Sequence, residues 1–144
     1  MKKLYAFVIG ATLLGCASIQ PAAVQVGDRC LRCGRVVSDV RLAAEMIDAM
    51  RAPFPFRTAG CLAKYVKAHP DKPVAALFVT DQHSGRMLPA SDAWFVPTTI
   101  ASPDGKKSEN DYLAFRSHSE AEAFRPHGTP LQRWAQVVAE APVD

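Results

Sequence analysis

The chain has 144 residues, 49% of them hydrophobic, with 17 basic and 14 acidic side chains and a formal net charge of +3, which is material for one core or two very small subdomains. Basic and acidic residues are interspersed along the chain, which implies neither a nucleic-acid footprint nor a sink for acidic substrates. Evidence for enzymatic catalysis is thin, because no phosphate loop, nucleophile motif or paired-carboxylate signature occurs, and Asp39, Asp81 and Asp92 each have ordinary capping or turn explanations.

Lys2 and Lys3 precede an apolar run over residues 4–14 that is interrupted only by Gly10 and Thr12. That run is too short to span a bilayer as a mature helix. It ends in Leu13-Leu14-Gly15-Cys16, a bacterial lipobox, in which the cysteine is diacylated and becomes the first residue of the mature chain. The expectation is a signal peptide over residues 1–15 and a membrane anchor on Cys16 that faces the periplasm. Ala17 and Ser18 after the cysteine favour the outer membrane over the inner. Two acyl chains hold where one is marginal, since each buried methylene contributes about 0.8 kcal/mol. Removal of Lys2 and Lys3 takes the charge from +3 to +1, so the basic pI belongs mostly to the signal. Residues 16–27 then read as a lipidated tether whose 20–27 stretch lifts the fold off the lipid, or alternatively supplies a first strand at residues 24–26.

Next comes Cys30-Leu31-Arg32-Cys33-Gly34. Three cysteines remain after lipidation, Cys30, Cys33 and Cys61, an unusual number for a disulfide scaffold in an oxidising compartment. Either one pair is bridged and one thiol is free, or the three act together as ligands, and a bound metal would protect them from oxidation. The Cys-x-x-Cys-Gly turn points both sulfurs the same way. Thiolates suit Cu(I) and Zn(II), and Cu(I) is content with two or three of them. Arg29, Arg32 and Arg35 favour the thiolate form by their charge. Cys61 is the candidate third ligand, placed near a helix N-terminus that is expected to lower its pKa; a small buried core residue is the alternative. A thiol-disulfide pair and a structural Cys30–Cys33 disulfide are the rival readings of the turn. The segment before Cys30, Val26-Gly27-Asp28-Arg29, is a poor match for the buried strand that precedes a thioredoxin-like pair.

Beyond the turn, Val36-Val37 predicts a short strand, and Val40, Leu42, Ala43, Met46, Ile47 and Met50 predict a helix over residues 39–51, stopped by Pro53 and Pro55. Residues 54–57 are a short extended piece, and Thr58 caps a helix over residues 60–68 with Leu62, Tyr65 and Val66 inward. Residues 74–80 form the best strand in the chain, closed by the turn Asp81-Gln82-His83-Ser84-Gly85. Strands at 86–88 and 93–96, a long polar loop over 97–110 that suits a mobile lid or docking loop, and a strand at 112–115 follow. Ser117 caps a helix to Phe124, and residues 131–139 read as helix or strand. His83 with Met87, and Met46 with Met50, are secondary ligand candidates; His118 and His127 read as surface residues, Trp94 and Trp134 as core anchors.

The halves echo each other. Phe56-Arg57-Thr58 with Leu62 and Tyr65 matches Phe115-Arg116-Ser117 with Ala121 and Phe124, and Gly34-Arg35-Val36-Val37 with Ser38-Asp39 matches Gly85-Arg86-Met87-Leu88 with Ser91-Asp92. Such self-similarity suggests a duplicated strand-and-helix module, with the cysteines only in the first copy.

Taken in order, Cys30-x-x-Cys33-Gly34, the stretch from Phe56 to Cys61, Phe78-Val79-Thr80-Asp81, Ala90-Ser91-Asp92-Ala93-Trp94-Phe95-Val96, and Ala114-Phe115-Arg116-Ser117 with Ala121 and Phe124 resemble the NosL family, lipoproteins that act as copper chaperones in nitrous oxide reductase maturation. The resemblance covers nearly all of the mature chain. It implies an α+β fold of two related ββαβ modules, here residues 28–82 and 83–144, a Cu(I) site using cysteine and methionine, and a client cuproenzyme or its maturation complex as partner. Two positions depart from the family: Arg35 follows Gly34 where Met is usual, and Ser102-Pro103-Asp104-Gly105 replaces Thr-Pro-Met-Gly. With those thioethers gone, the expected metal ligands are Cys30, Cys33 and Cys61, for Cu(I) or alternatively Zn(II), and the expected mechanism is ligand exchange through shared sulfurs.

Overall fold

The computed structural model describes residues 18–102 and 105–143. The signal peptide, Cys16 and Asp104 lie outside the described residues.

The first element after the cysteine turn is a strand, not the helix expected over residues 39–51. β1 (Ala44–Asp48) is buried at every position, because it is the centre of a sheet covered on both faces. A strand buried on both sides loses the alternation that reveals strands, and its continuous apolar run satisfied a helical template instead. β1 pairs antiparallel with β2 (Pro53–Phe56) on one side and β3 (Val74–Thr80) on the other. The β1–β2 turn is closed by Asp48, whose Oδ1 accepts the N–H of Met50 and of Ala52, both at 2.9 Å. Met46 and Met50 are thereby separated: Met46 is in the core and Met50 is 85% exposed.

α1 (Ala59–Ala68) follows β2 directly, with Thr58 accepting the Cys61 N–H as its cap. β4 (Met87–Pro89) adds to β3, giving the order β2-β1-β3-β4. β5 (Trp94–Ala101) and β6 (Ser108–Phe115) form a second, two-stranded sheet paired from Trp94↔Phe115 to Ala101↔Ser108. The polar loop expected over residues 97–110 is therefore mostly hairpin, and only 102–107 connects the strands. One face of this hairpin is open to water, so its polar residues disguised it as loop. α2 (His118–Phe124) is capped by Ser117, and the 131–139 segment resolves into a single bridge, Phe95↔Gln132, followed by α3 (Trp134–Glu140).

The duplication is visible hydrogen bond by hydrogen bond. β1 lies between β2 and β3, and β5 lies between β6 and the Gln132 bridge, so each half is ββαβ with the last strand of the second reduced to one pair. In the first half Cys30 N–H donates to Arg35 O at 2.9 Å, Gly34 N–H to Cys30 O at 2.9 Å and Leu31 N–H to Pro55 O at 2.9 Å. In the second half, whose turn opens at Asp81, two residues before the expected boundary at 83, Asp81 N–H donates to Arg86 O at 2.9 Å, Gly85 N–H to Asp81 O at 2.8 Å and Gln82 N–H to Ala114 O at 2.8 Å. Both turns need a left-handed residue, and Gly34 and Gly85 supply it at φ +68° and +70°.

One core joins the halves, running from Cys30, Met46, Phe56 and Leu62 through Leu88 to Phe95 and Val137. The stretch expected to stand off as a tether lies on the fold instead. Val24 is buried with Val37 and Ala43, and Ala22 N–H donates to Oε1 of the buried Glu45 at 2.8 Å. Val37 makes no strand of its own; its neighbour Val36 forms one antiparallel bridge to Arg29, which closes the base of the cysteine turn.

Candidate metal centre

Two segments deliver three sulfurs to one place. Cys30 enters the turn from the Arg29–Val36 bridge, Cys33 leaves it, and Cys61 is the third residue of α1. The three Sγ atoms lie within 4.8 Å of one another, and they are the one such group of metal-ligating side chains among the described residues. All three are free thiols; Cys30 and Cys61 are 2% and 6% exposed, and Cys33 is half-buried. Trigonal bonds of about 2.3 Å would set sulfurs roughly 4 Å apart, within the span observed. The expected trio is therefore assembled by the fold.

The thiols differ in acidity. Cys30 is lowered from 9.0 to about 7, chiefly because the Cys61 thiol donates a hydrogen bond to it, with the Arg57 and Cys33 amides helping against the opposing effect of burial. Cys61 is pushed up, first by giving that hydrogen bond and then by burial and the charge on Cys30. This corrects the expectation that the start of α1 lowers Cys61: an adjacent thiolate outweighs the partial charge of a helix terminus. As the pH rises through about 7 the first proton of the pair is lost from Cys30, while Cys61 keeps its own.

Around the sulfurs stand residues that sequence patterns did not single out. Asp111 of β6 is buried and accepts the N–H of Gly60 and of Tyr112, each at 2.8 Å, so a carboxylate of the second sheet holds the first turn of α1. Burial pushes its pKa up, partly offset by the Thr58 hydroxyl and the two amides. Glu109, two residues earlier on the same face of β6, pairs with Arg35 at 2.8 Å and with buried Arg57 at 2.6 Å. Recognition of β6 as a strand would have placed 109 and 111 on one face by the two-residue period. Of the flanking arginines, Arg29 donates to Gly34 O at 3.0 Å and braces the turn, while Arg32 and Arg35 join Cys61, Lys64, Glu109 and Glu140 in lining a cavity of about 500 Å³.

The second half has the same scaffold with oxygen chemistry. Asp81 stands where Cys30 does, Ser84 where Cys33 does and Glu120 where Cys61 does. Asp81 Oδ1 accepts the Arg116 N–H at 3.0 Å, and Oδ2 accepts the Ser84 N–H at 2.9 Å and hydroxyl at 2.6 Å. These are the counterparts of the Arg57 and Cys33 amides at Cys30.

The secondary candidates fall elsewhere. His83 is exposed, 3.7 Å from Glu120; Met87 packs with Val24, Val37 and Ala43. His118 meets the Trp94 ring edge-on at 4.6 Å, and His127 is exposed. Trp94 and Trp134 pack against the core from its margin, as anchors of the second half.

Fold and site together define a duplicated ββαβ protein that gathers three thiols at the edge of its core. Among solved structures it is similar to the crystal structure of the copper chaperone NosL from Shewanella denitrificans, with a TM-score of 0.66 and 19% identity over 83% of this chain and 96% of that one. No protein-family model matches the chain, and no curated protein matches it. At 19% identity the likeness is one of fold, and it agrees with the α+β architecture that the sequence resemblance implied.

Proposed function

We propose that the protein binds Cu(I) through Cys30, Cys33 and Cys61 and hands it to a client cuproenzyme, such as nitrous oxide reductase or its maturation complex, from a lipid anchor on Cys16 in the periplasm, with the outer membrane favoured over the inner. The observation that carries this reading is the convergence of three sulfurs within 4.8 Å at the edge of the core. Three thiolates satisfy Cu(I), whereas structural Zn(II) takes four ligands, and no fourth histidine, cysteine or carboxylate joins the group among the described residues. Likeness in fold to a copper chaperone supports the same cargo.

The work of the chain is to hold and release. Cys30, already anionic near neutral pH, binds first, and the Arg57 and Cys33 amides steady its charge. Cys61 would lose its proton to solvent as its sulfur takes the incoming ion. Cys33, the most open of the three, is where a partner's sulfur enters, and exchange proceeds through a shared-sulfur intermediate as one protein thiolate after another is replaced. The copper stays Cu(I) throughout, so no electron donor is needed.

The test is anaerobic Cu(I) titration of residues 17–144 against a chelator of known affinity, with thiols counted before and after. One Cu(I) per chain with two or three thiols protected is expected, together with its loss in Cys33→Ser at unchanged fold. A chain that competes for no copper and is isolated with Cys30 joined to Cys33 would overturn the proposal in favour of a disulfide role.

A further inference from the structure

Leu31 and Arg32, the two residues between the cysteines of the turn, line a groove of about 350 Å³ with Lys64, Tyr65, His69 and Pro142. Arg32, Lys64 and Pro142 also line the cavity into which Cys61 opens, so the groove adjoins the thiol site. Among the described residues no carboxylate lines the groove. Lys64 stands one helical turn after Cys61 and has no hydrogen-bond or ion-pair partner among the described residues, whereas Lys67 is bound to the carbonyls of Ala139 and Ala141. Lys72 adds positive charge beside it, its Nζ donating to the Tyr65 hydroxyl at 3.0 Å. The acidic side chains of the neighbouring cavity are already engaged: Glu109 with Arg35 and Arg57, Asp111 with two amides, and Glu140 with Gln132 at 2.6 Å. Leu31 is 39% exposed and Tyr65 is half-buried, so apolar surface lies beside the cations.

We propose that this groove docks an acidic segment of the protein that takes copper from the thiols, with carboxylates set against Lys64 and Arg32 and one apolar side chain against Leu31 and Tyr65. Its purpose rests on the copper-transfer reading, but the docking itself needs no metal. Opposite charge steers the encounter, and the walls shared with the Cys61 cavity put the next residues of a bound segment beside the sulfurs. The fold need not rearrange, since Cys33 is only half-buried and Cys61 already lines that cavity.

The test uses two fluorescent, thiol-free peptides that differ only in charge, a leucine flanked by four glutamates or by four glutamines, and reads their binding to the reduced, metal-free protein by anisotropy. The glutamate peptide should bind about fivefold more tightly at low ionic strength, with the gap closing as salt screens the pairs. Lys64→Gln should close it too, while Lys64→Arg, and Arg86→Gln in the turn of the second half, keep it. Equal binding of the two peptides, or a gap that persists in Lys64→Gln, would overturn the docking surface. Cysteine-bearing versions of the peptides then take Cu(I) from the loaded protein, the glutamate version faster by a similar factor. Equal transfer rates would overturn the groove as a docking site for copper transfer. A wild type that binds no Cu(I) refutes the proposed function, while the thiol-free peptides still decide whether the groove binds acidic segments.

Discussion

Gly60→Ala is the sharpest probe of how the second sheet holds the first helix. A Cβ at position 60 would lie 2.7 Å from Oδ1, 2.8 Å from Cγ and 2.9 Å from Oδ2 of Asp111, distances at which something must move. The backbone of α1 is fixed by its ladder and by the Thr58 cap, so the carboxylate moves and gives up the Gly60 and Tyr112 amides. Each such charge-assisted bond is worth about 1.5–3 kcal/mol, against a gain of about 0.5–1 kcal/mol for alanine over glycine inside a helix. Partial rehydration of the displaced carboxylate leaves a net loss of about 2–4 kcal/mol, readable as a shift of the urea midpoint by about 1–2 M. The decisive comparison is the double-mutant cycle with Asp111→Ala, in which Gly60→Ala becomes neutral or mildly stabilising. A Gly60→Ala protein as stable as wild type, or one equally destabilised with and without Asp111, would refute the close-approach reasoning.

The reduced, metal-free protein should gain stability as pH rises from about 7 toward the ordinary thiol value, because Cys30 is ionised in the fold at about 7 and only later in the unfolded chain; that contribution is lost as pH falls through about 7. Above the ordinary value Cys61 opposes it, being held protonated in the fold, so the thermal midpoint peaks between the two regimes, and the rise disappears in Cys30→Ser. Asp81→Asn should destabilise at neutral pH: burial alone would raise this carboxyl, but the Ser84 hydroxyl and the Ser84, Arg116 and His83 amides lower it. Its contribution is present above the unfolded value of about 3.9 and disappears as pH falls through the lower folded value, so the two proteins should converge in acid unfolding. Lys67 donates to the carbonyls of Ala139 at 2.6 Å and Ala141 at 2.7 Å, at the end of α3. Lys67→Ala should cost about 1 kcal/mol and speed amide exchange in α3 ahead of α1.

Local signals survived into the structure where a side chain acts on its own neighbours. Thr58 and Ser117 cap the helices assigned to them, and the paired Phe-Arg-hydroxyl signatures mark the end of the second strand in each half. Signals that depend on what covers an element failed. β1 looked helical because both its faces are buried, and the start of β6 looked like loop because one face is wet and the other carries Glu109 and Asp111, which hold the cysteine turn and the start of α1. The cysteine trio was legible from chemistry alone, since soft ligands in odd number invite a common site. Its acidity was not, because which thiol ionises depends on distances between sulfurs and not on position along a helix.

The two halves show why the candidate metal site sits where it does. A turn of this shape directs two amides, one from its own third following residue and one from the strand-to-helix junction, at the side chain of its first residue, and so asks for an anion there. The second half answers with Asp81, whose charge is permanent at neutral pH and whose oxygens are already filled by Arg116 and Ser84. A carboxylate so saturated has little left for a ligand. The first half answers with Cys30, whose sulfur is anionic near pH 7 and still able to bond a soft cation beside Cys33 and Cys61. The same anion-seeking turn thus occurs twice, with oxygens spent on a structural tie in one half and, in the other, three sulfurs within 4.8 Å of one another that could hold a soft cation.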